Sequence, residues 1–344
     1  MKRIARNSLD ALYKAIAGQK DLFLPVKQNG FTNFAAYTED ADVDIETTKT
    51  VKSPKDAFFP QSETLYTCSK CDKKLCIEAS PRRDTDFVVF GMRPCDARAL
   101  KVLDNVFLSE PVDTFYAARR EHGTLVVLAC GRPDTSCFCR VFGIDASDPT
   151  ADADVAAWLC GDYLYWQPVT DKGTALTDML GDLLADTDDA AVGEEKKKIS
   201  DIIGKLPYSD LSLEGWGGDA TDKKFNSPLW DKLYTACLGC GTCTFMCPTC
   251  QCYDIKDYNT GNGVQRYRCW DSCMYSDFTL MAAVNSRTSQ MQRFRQRFMH
   301  KLVYYPANNG GMYSCVGCGR CVDRCPSHLN IVKVIKAFEK EESK

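Results

Sequence analysis

Two short apolar segments dominate the hydrophobic pattern in the first half of the chain. Residues 87–91 read FVVFG and residues 124–129 read TLVVLA, the near-continuous apolar pattern that is typical of strands buried on both faces. Two segments with helical patterns, 96–107 and 113–121, lie between them. A strand, a helical crossover and a second strand predict a right-handed βαβ unit with a parallel sheet.

The sequence around this unit has weaker patterns. Apolar residues at positions 9, 12, 13 and 16 predict an amphipathic helix, and residues 20–66 mix short apolar and charged pieces that favour strands and loops. Residues 204–228 are rich in Gly, Ser and Pro and show little periodicity, which is typical of a domain boundary. We therefore predict an α/β domain with a mixed sheet over residues 1–226.

The remaining residues, 227–344, are predicted to form a mainly helical domain. A long helix is expected over residues 277–305, and apolar residues at 331, 334, 335 and 338 predict a final amphipathic helix. The polar side of the long helix carries five basic residues: Arg287, Arg293, Arg295, Arg297 and Lys301. Such a face is usually solvated, but it also suits docking of an acidic partner or compensation of the charge of a bound cluster.

Cysteine is the residue type that changes this picture most. Of the 20 cysteines, eight lie in a twelve-residue pattern that occurs twice, as CLGCGTCTFMCP at 237–248 and CVGCGRCVDRCP at 315–326. The spacing C-x2-C-x2-C-x3-C-P is typical of ferredoxins with two [4Fe–4S] clusters, in which the fourth cysteine of each run ligates the other cluster. The predicted ligands are therefore Cys237, Cys240, Cys243 and Cys325 for the first cluster, and Cys247, Cys315, Cys318 and Cys321 for the second. A zinc site uses two pairs of ligands and explains neither the third cysteine nor the Cys-Pro step.

Four more cysteines follow the two predicted buried strands. Cys95 comes after the first strand, and Cys130, Cys137 and Cys139 come after the second. Because the carboxyl ends of parallel strands meet at one edge of a sheet, these four thiols can converge there. The pattern predicts a third [4Fe–4S] cluster in the α/β domain. The alternative is that Cys95 and Cys130 are small buried residues and that Cys137 and Cys139 are incidental.

The remaining cysteines have less specific spacing. One group, Cys68, Cys71 and Cys76, lies on a predicted hairpin and is either a metal site completed by a distant ligand such as Cys160 or a set of free thiols. The other comprises Cys250, Cys252, Cys269 and Cys273, which either bind a further metal or pack beside the clusters without one.

Several classes of function are disfavoured. The net charge of −3 and the lack of a long basic run give no indication of a nucleic-acid partner. No apolar run approaches the roughly 18 residues of a membrane span, and the N-terminus lacks the apolar core of a signal peptide. Reduced cysteines and oxygen-labile clusters favour the cytoplasm of an organism that lives at least partly without oxygen.

Sites for other cofactors are also absent from the sequence. No G-x-G-x-x-G follows a predicted strand, and neither a P-loop nor a G-x-S-x-G motif is present. Three histidines leave little scope for acid–base or zinc hydrolytic chemistry. We therefore predict no catalytic residues and no flavin or NAD(P) site in this chain.

Six sequence blocks resemble those of a known family. They are FGMRPCDARALKVLDNVFL, YAARRE, ACGRPDTSCFC, CLGCGTCTFMCPTCQCYD, RCWDSC and CVGCGRCVDRCP. In this order they resemble the iron–sulfur electron-transfer subunit that anaerobic sulfite reductase shares with cytosolic sulfhydrogenase, where it is called the beta subunit. Cys250, Cys252 and Cys273 also have counterparts in this family, whereas Cys68, Cys71, Cys76 and Cys269 depart from it.

The resemblance implies a subunit of a hetero-oligomer that relays electrons. Its partners would be a flavin- and NAD(P)-binding subunit together with a catalytic redox subunit of sulfite reductase, hydrogenase or heterodisulfide reductase type. Two other functions remain open from the residues. One is catalysis of sulfite reduction by the chain itself, which would require sirohaem, and the other is a zinc-bearing scaffold.

Overall fold

The computed structural model describes residues 1–72 and 74–342 of this 344-residue chain. The strands are β1 (Lys2–Ala5), β2 (Asp21–Gln28), β3 (Phe31–Ala36), β4 (Ser62–Cys71), β5 (Lys74–Ala79), β6 (Phe87–Met92), β7 (Gly123–Leu128), β8 (Val155–Cys160), β9 (Tyr163–Pro168), β10 (Ala185–Asp186), β11 (Tyr253–Asn259) and β12 (Gly263–Trp270). The helices are α1 (Leu9–Ala17), α2 (Pro94–Phe107), α3 (Thr114–His122), α4 (Asp171–Leu180), α5 (Ala190–Gly204), α6 (Thr221–Phe225), α7 (Leu229–Leu233), α8 (Thr242–Phe245), α9 (Gln290–Met299), α10 (Tyr305–Asn308), α11 (Arg320–Asp323) and α12 (Ile331–Glu342).

An eight-stranded mixed sheet forms the centre of the N-terminal region, which confirms the predicted mixed sheet. Its order is β10-β1-β9-β8-β7-β6-β2-β3, and β2, β6, β7 and β8 run parallel to one another. Both predicted apolar strands, β6 and β7, are buried along their whole length. The predicted βαβ unit is β6, then α2 and α3, then β7.

Helices cover both faces of this sheet, which explains why its central strands are continuously apolar. Val88 and Phe90 point to the face covered by α1 and α4. Phe87 and Val89 point to the opposite face, where α2, α3 and α5 pack. Since each of these side chains is fully buried, each contributes about 1.5–3 kcal/mol of hydrophobic stabilisation.

A second sheet joins distant parts of the chain. Its order is β11-β12-β4-β5, with Val264 of β12 paired to Cys68 of β4. This antiparallel sheet takes two strands from each side of the predicted boundary between residues 226 and 227, so the two predicted domains share one sheet. The boundary itself stays a prediction.

A buried ion network holds the second sheet against α3. Arg268 of β12 donates from Nε to Glu63 of β4 at 2.8 Å, and its guanidinium also pairs with Asp113, the N-cap of α3. Glu63 in turn pairs with Arg119 of α3. Because Arg268 and Glu63 are both almost fully buried, the loss of either charge leaves its partner poorly compensated.

Replacing Arg268 with methionine should therefore strongly destabilise the protein. We expect a loss of about 3–5 kcal/mol in the free energy of unfolding, measured from the midpoint of anaerobic urea denaturation. The matched control is Arg266→Met, since Arg266 lies on the same strand and pairs with the exposed Asp257 at 2.7 Å. Equal midpoints for the two variants would contradict the assigned role of the buried network.

The C-terminal region combines short helices with the β11–β12 hairpin. The long helix begins at Gln290 with a capping box formed by Ser289 and Gln292, and continues through a π-helical segment, His300–Tyr304, into α10. Residues 280–289 are not helical, so the helix is shorter than the sequence pattern predicts. The final helix, α12, buries the predicted apolar face.

The basic face of the long helix is not uniformly solvated. Phe294 and Phe298 of α9 pack against Trp230 of α7. The same helix turns Arg297 and Lys301 inward, where their exposed fractions are only 3% and 4%. Of the roles that the sequence left open, compensation of cluster charge is the one that burial of these two residues favours. Among the described residues, no helix has the length and apolar character needed to cross a membrane.

Candidate iron–sulfur centres

The first predicted set of ligands surrounds a single cavity. Cys237, Cys240, Cys243 and Cys325 all line it, together with Met274, Phe294, Phe298, Pro326 and Leu329. Three of these thiols come from one cysteine run and Cys325 comes from the other, which is the arrangement that crossed ligation requires. Ligation itself stays a prediction.

Backbone amides point at the sulfurs of this first set. The N–H of Gly239 donates to Cys237 Sγ at 3.4 Å, and the N–H of Leu329 donates to Cys325 Sγ at 3.2 Å. Gly241 adopts a left-handed conformation with φ of 72° at the start of α8, which a non-glycine residue rarely adopts. Hydrogen bonds to sulfur stabilise a thiolate and tune the potential of a cluster that it holds.

The second predicted set lies deeper in the protein. Burial and the neighbouring Cys247 both raise the pKa values of Cys315, Cys318 and Cys321. The hydroxyl of Thr249 contacts Cys247 Sγ at 3.1 Å and donates to the carbonyl of Ser314 at 2.7 Å. Thr249 thereby connects the last cysteine of the first run to the start of the second.

The third predicted set also lines a single cavity. Cys95 lies in the first turn of α2, Cys130 follows β7, and Cys137 and Cys139 lie in the next loop. These four thiols surround a cavity that Cys318 of the second set also lines. Burial raises the pKa of Cys130 to about 12 and that of Cys137 to about 11, so deprotonated sulfur here needs a bound metal or a nearby cation.

A close backbone approach places the second set against the third. The N–H of Phe138 donates to the carbonyl of Gly317 at 2.8 Å. Gly317 has φ of +58°, and a Cβ atom there would overlap the Phe138 carbonyl oxygen. Only glycine permits this contact, because a side chain would both clash and strain the backbone.

Buried cations surround the cysteine sets. Five almost fully buried cations lie near these cysteines: Lys55, Arg93, Arg297, Lys301 and Arg320. Within the described residues, only Arg320 of these five has a carboxylate partner, Asp96. A buried cation is unfavourable without an anionic partner even when carbonyl groups accept its hydrogen bonds, so these positions fit negatively charged groups held by the cysteine sets.

Two buried nitrogen atoms without hydrogen-bond partners also fit a bound, negatively charged group. The Nε atoms of Arg93 and Arg297 are buried without a hydrogen-bond partner. Arg93 precedes Cys95 by two residues, and Arg297 lines the cavity of the first set. A cluster held by four thiolates carries net negative charge and sulfur acceptors, so these residues fit iron–sulfur clusters.

Neighbouring cysteine sulfurs raise the pKa values of two of these cations. Burial opposes protonation of Arg297 and Lys301, but neighbouring cysteines outweigh it, and both pKa values lie above their ordinary range. For Lys55 burial dominates, and its pKa is lowered. Its Nζ donates to the carbonyls of Cys247 at 3.0 Å and Cys250 at 2.8 Å.

The ion pair between Arg320 and Asp96 lies between two sets. Arg320 Nη1 and Nη2 lie 2.6 and 2.8 Å from the two carboxylate oxygens of Asp96, and each side chain is 2% exposed. Arg320 separates Cys318 from Cys321 along the chain, and Asp96 follows Cys95. This bidentate pair therefore fixes α11 of the second set against α2 of the third.

The other cysteines are arranged differently. Cys71 and Cys76 form a disulfide, and Cys68 is a separate free thiol, so a metal site on this hairpin would require reduction of the disulfide. Cys160 lies beside Glu195 at the end of β8 in the other sheet.

Cys250, Cys252 and Cys273 lie beside the cluster sets. Cys250 lies next to Cys247, and Cys252 lies next to Cys273. Cys269 is on β12, opposite Asp254. Throughout residues 1–72 and 74–342, no group of three or more His, Cys, Asp or Glu side chains is arranged to hold a single metal ion. Metal binding by any of these cysteines stays a prediction.

Lys55 and Arg93 are the residues of this region that the sequence did not reveal. Lys55 lies in a short 3-10 helix, Pro54–Ala57, within a stretch of mixed polarity that has no recognisable motif. Arg93 is next to the PCD block, and only its position two residues before Cys95 links it to the third set.

Comparison with known proteins agrees with this chemistry. Residues 236–329 match the model of a family described as a 4Fe-4S dicluster domain, a span that contains both cysteine runs. Over 313 residues the chain is 32% identical to the Sulfhydrogenase 2 subunit beta of Pyrococcus furiosus, covering 90% of each chain.

Proposed function

This chain belongs to the family of the sulfhydrogenase beta subunit, and we propose that it is an iron–sulfur subunit that relays electrons and has no catalytic residues of its own. It holds two [4Fe–4S] clusters in a mainly helical ferredoxin-like domain, residues 227–344, and a third in the α/β domain, residues 1–226. It binds neither flavin nor NAD(P) itself.

The observation that carries this proposal is the continuous order of the three cysteine sets. Cys243 of the first set and Cys247 of the second lie close to Cys321, and Cys318 of the second set lines the cavity of the third. Each cluster, when bound, takes up and releases one electron. A row of neighbouring cluster sites suits the transfer of electrons over a distance. Catalysis at a single centre does not require such a row.

The first set is the end of this series that reaches the surface. Cys240 is exposed, and the adjacent Leu238 is 70% exposed. A partner that docks here can approach the thiol directly.

The partners that we propose are a flavin- and NAD(P)-binding subunit together with a catalytic redox subunit. The name of the relative, a sulfhydrogenase subunit beta, supports a hetero-oligomer. Sulfite reductase, hydrogenase and heterodisulfide reductase are the three types of catalytic subunit that the proposal includes. Oxygen-labile clusters favour the cytoplasm as the location of the complex.

Reduction by nicotinamide should depend on the flavoprotein partner. We expect the isolated chain to keep its visible absorbance when mixed anaerobically with NADH or NADPH, because it has no hydride-accepting group. Addition of the partner identified by anaerobic co-purification should bleach the thiolate-to-iron band. Bleaching without the partner, or tightly bound flavin or sirohaem in the isolated chain, would identify it as an enzyme instead. Zinc in place of iron would identify a scaffold.

A further inference from the structure

Three buried cations lie near the second cysteine set, which is called the middle set below because it lies between the first and the third. Lys301 Nζ donates to Thr249 Oγ1 at 2.8 Å, and that hydroxyl contacts Cys247 Sγ. Lys55 approaches from the N-terminal region and donates to the carbonyls of Cys247 and Cys250. Arg297 lies close enough to Cys321 to lower the pKa of that thiol, against the larger effect of burial. None of the three has a carboxylate partner among the described residues, so no acidic side chain offsets their positive charge near the middle set.

The third set has a different charge balance. Lys49 lines its cavity but pairs with Asp134 at 3.0 Å and with Asp323 at 2.5 Å. Arg320 lines the same cavity and pairs with Asp96. Carboxylates therefore offset the charge of both Lys49 and Arg320. Among the described residues near this set, Arg93 is the one buried cation without a carboxylate partner.

The first set has a more solvated environment. Arg297 lines its cavity and donates to the carbonyl of Cys243 at 3.4 Å, but Cys240 is exposed. Water screens the effect of a charge at an exposed site far more than at a buried one. Buried cations without carboxylate partners are thus concentrated at the middle set.

Reduction adds an electron to a cluster that is already negative, and a fixed cation in a low-dielectric environment stabilises the added charge. Cluster potentials follow local charge, hydrogen bonds to sulfur and solvent exposure. We propose that Lys301 and Arg297, assisted by Lys55, make the cluster held by Cys247, Cys315, Cys318 and Cys321 the most easily reduced of the three. This inference rests on the proposed electron-transfer function. It means that the first electron to enter the chain resides at the middle position.

The test is a potentiometric titration of the full-length reconstituted protein, followed anaerobically by electron paramagnetic resonance. In Lys301→Met, the component with the highest potential should move downward while the other two stay in place. We expect at least a tenfold change in its ratio of reduced to oxidised cluster, equivalent to about 59 mV for a one-electron couple. Arg297→Met should lower the same component and also that of the first set, whose cavity Arg297 lines.

Three matched variants separate charge from structure. Lys301→Arg keeps the charge and should restore the wild-type potential. Lys232→Met removes the same charge from an exposed position of α7 and should leave all potentials unchanged. Lys49→Met should move a different component, by a smaller amount. Iron and sulfide content is measured for every variant, so that cluster loss is not mistaken for a shift.

The outcomes distinguish this inference from the function on which it rests. A wild-type protein without clusters contradicts the proposed function. Suppose that the wild-type protein holds its clusters. If Lys301→Met then shifts the potentials no more than Lys232→Met does, or shifts the component with the lowest potential, the charge assignment alone is overturned.

Discussion

Replacing Cys325 with serine should empty the cluster site of the other cysteine run. Cys325 shares its cavity with Cys237, Cys240 and Cys243, so the variant removes one of four ligands from that site and leaves the second set complete. We expect iron to fall from about twelve to about eight atoms per chain.

The site that is lost can be identified by thiol labelling. After anaerobic treatment with iodoacetamide and peptide mass spectrometry, Cys237, Cys240 and Cys243 should become labelled in the variant, whereas Cys315, Cys318 and Cys321 stay protected. Labelling of the latter three would contradict crossed ligation. Cys269→Ser provides the control, because Cys269 is a free thiol outside both sets and its loss should leave the iron content unchanged.

Replacing Cys130 with alanine should remove the cluster of the α/β region. Cys130 contributes to a cavity with Cys95, Cys137 and Cys139, and loss of one thiolate from a four-ligand site prevents stable binding. Iron should again fall to about eight atoms per chain, and the three remaining thiols should become reactive toward iodoacetamide.

The control for this variant lies one strand away. Cys160 ends β8 much as Cys130 follows β7, and both are partly buried free thiols. Cys160→Ala should keep the full iron content. A wild-type protein with only about eight iron atoms, or equal iron in the two variants, would show that the third set binds no cluster. The full-length chain is needed, because Gly317 and Cys318 complete the cavity.

Local sequence patterns were sufficient to predict the strands that are buried on both faces. Both faces of β6 and β7 are covered, so their apolar runs were readable without knowledge of the rest of the fold. Each cysteine run places three predicted ligands within a short loop, so its spacing predicted a 4Fe-4S dicluster domain, which the family match over residues 236–329 confirms, before any tertiary contact was known.

Non-local contacts were not readable in the same way. One miss was local, since the helix predicted from residue 277 begins only at Gln290, where Ser289 and Gln292 form a capping box that the sequence itself contains. The pairing of β4 with β12 has no sequence signature, since it joins segments from the two ends of the chain. Lys55 acquires its place beside Cys247 through this long-range packing.

The shared sheet sets a constraint on how the protein is made. Cys68 pairs with Val264, about 200 residues later in the chain, so at a synthesis rate of roughly 5–20 residues per second β4 waits about 10–40 s on the ribosome for its neighbour. During that interval one edge of β4 has no strand to pair with, and the third cysteine set lacks Gly317 and Cys318. The nascent chain therefore cannot complete the second sheet, or the cavity of the third cysteine set, before its C-terminal region has been made.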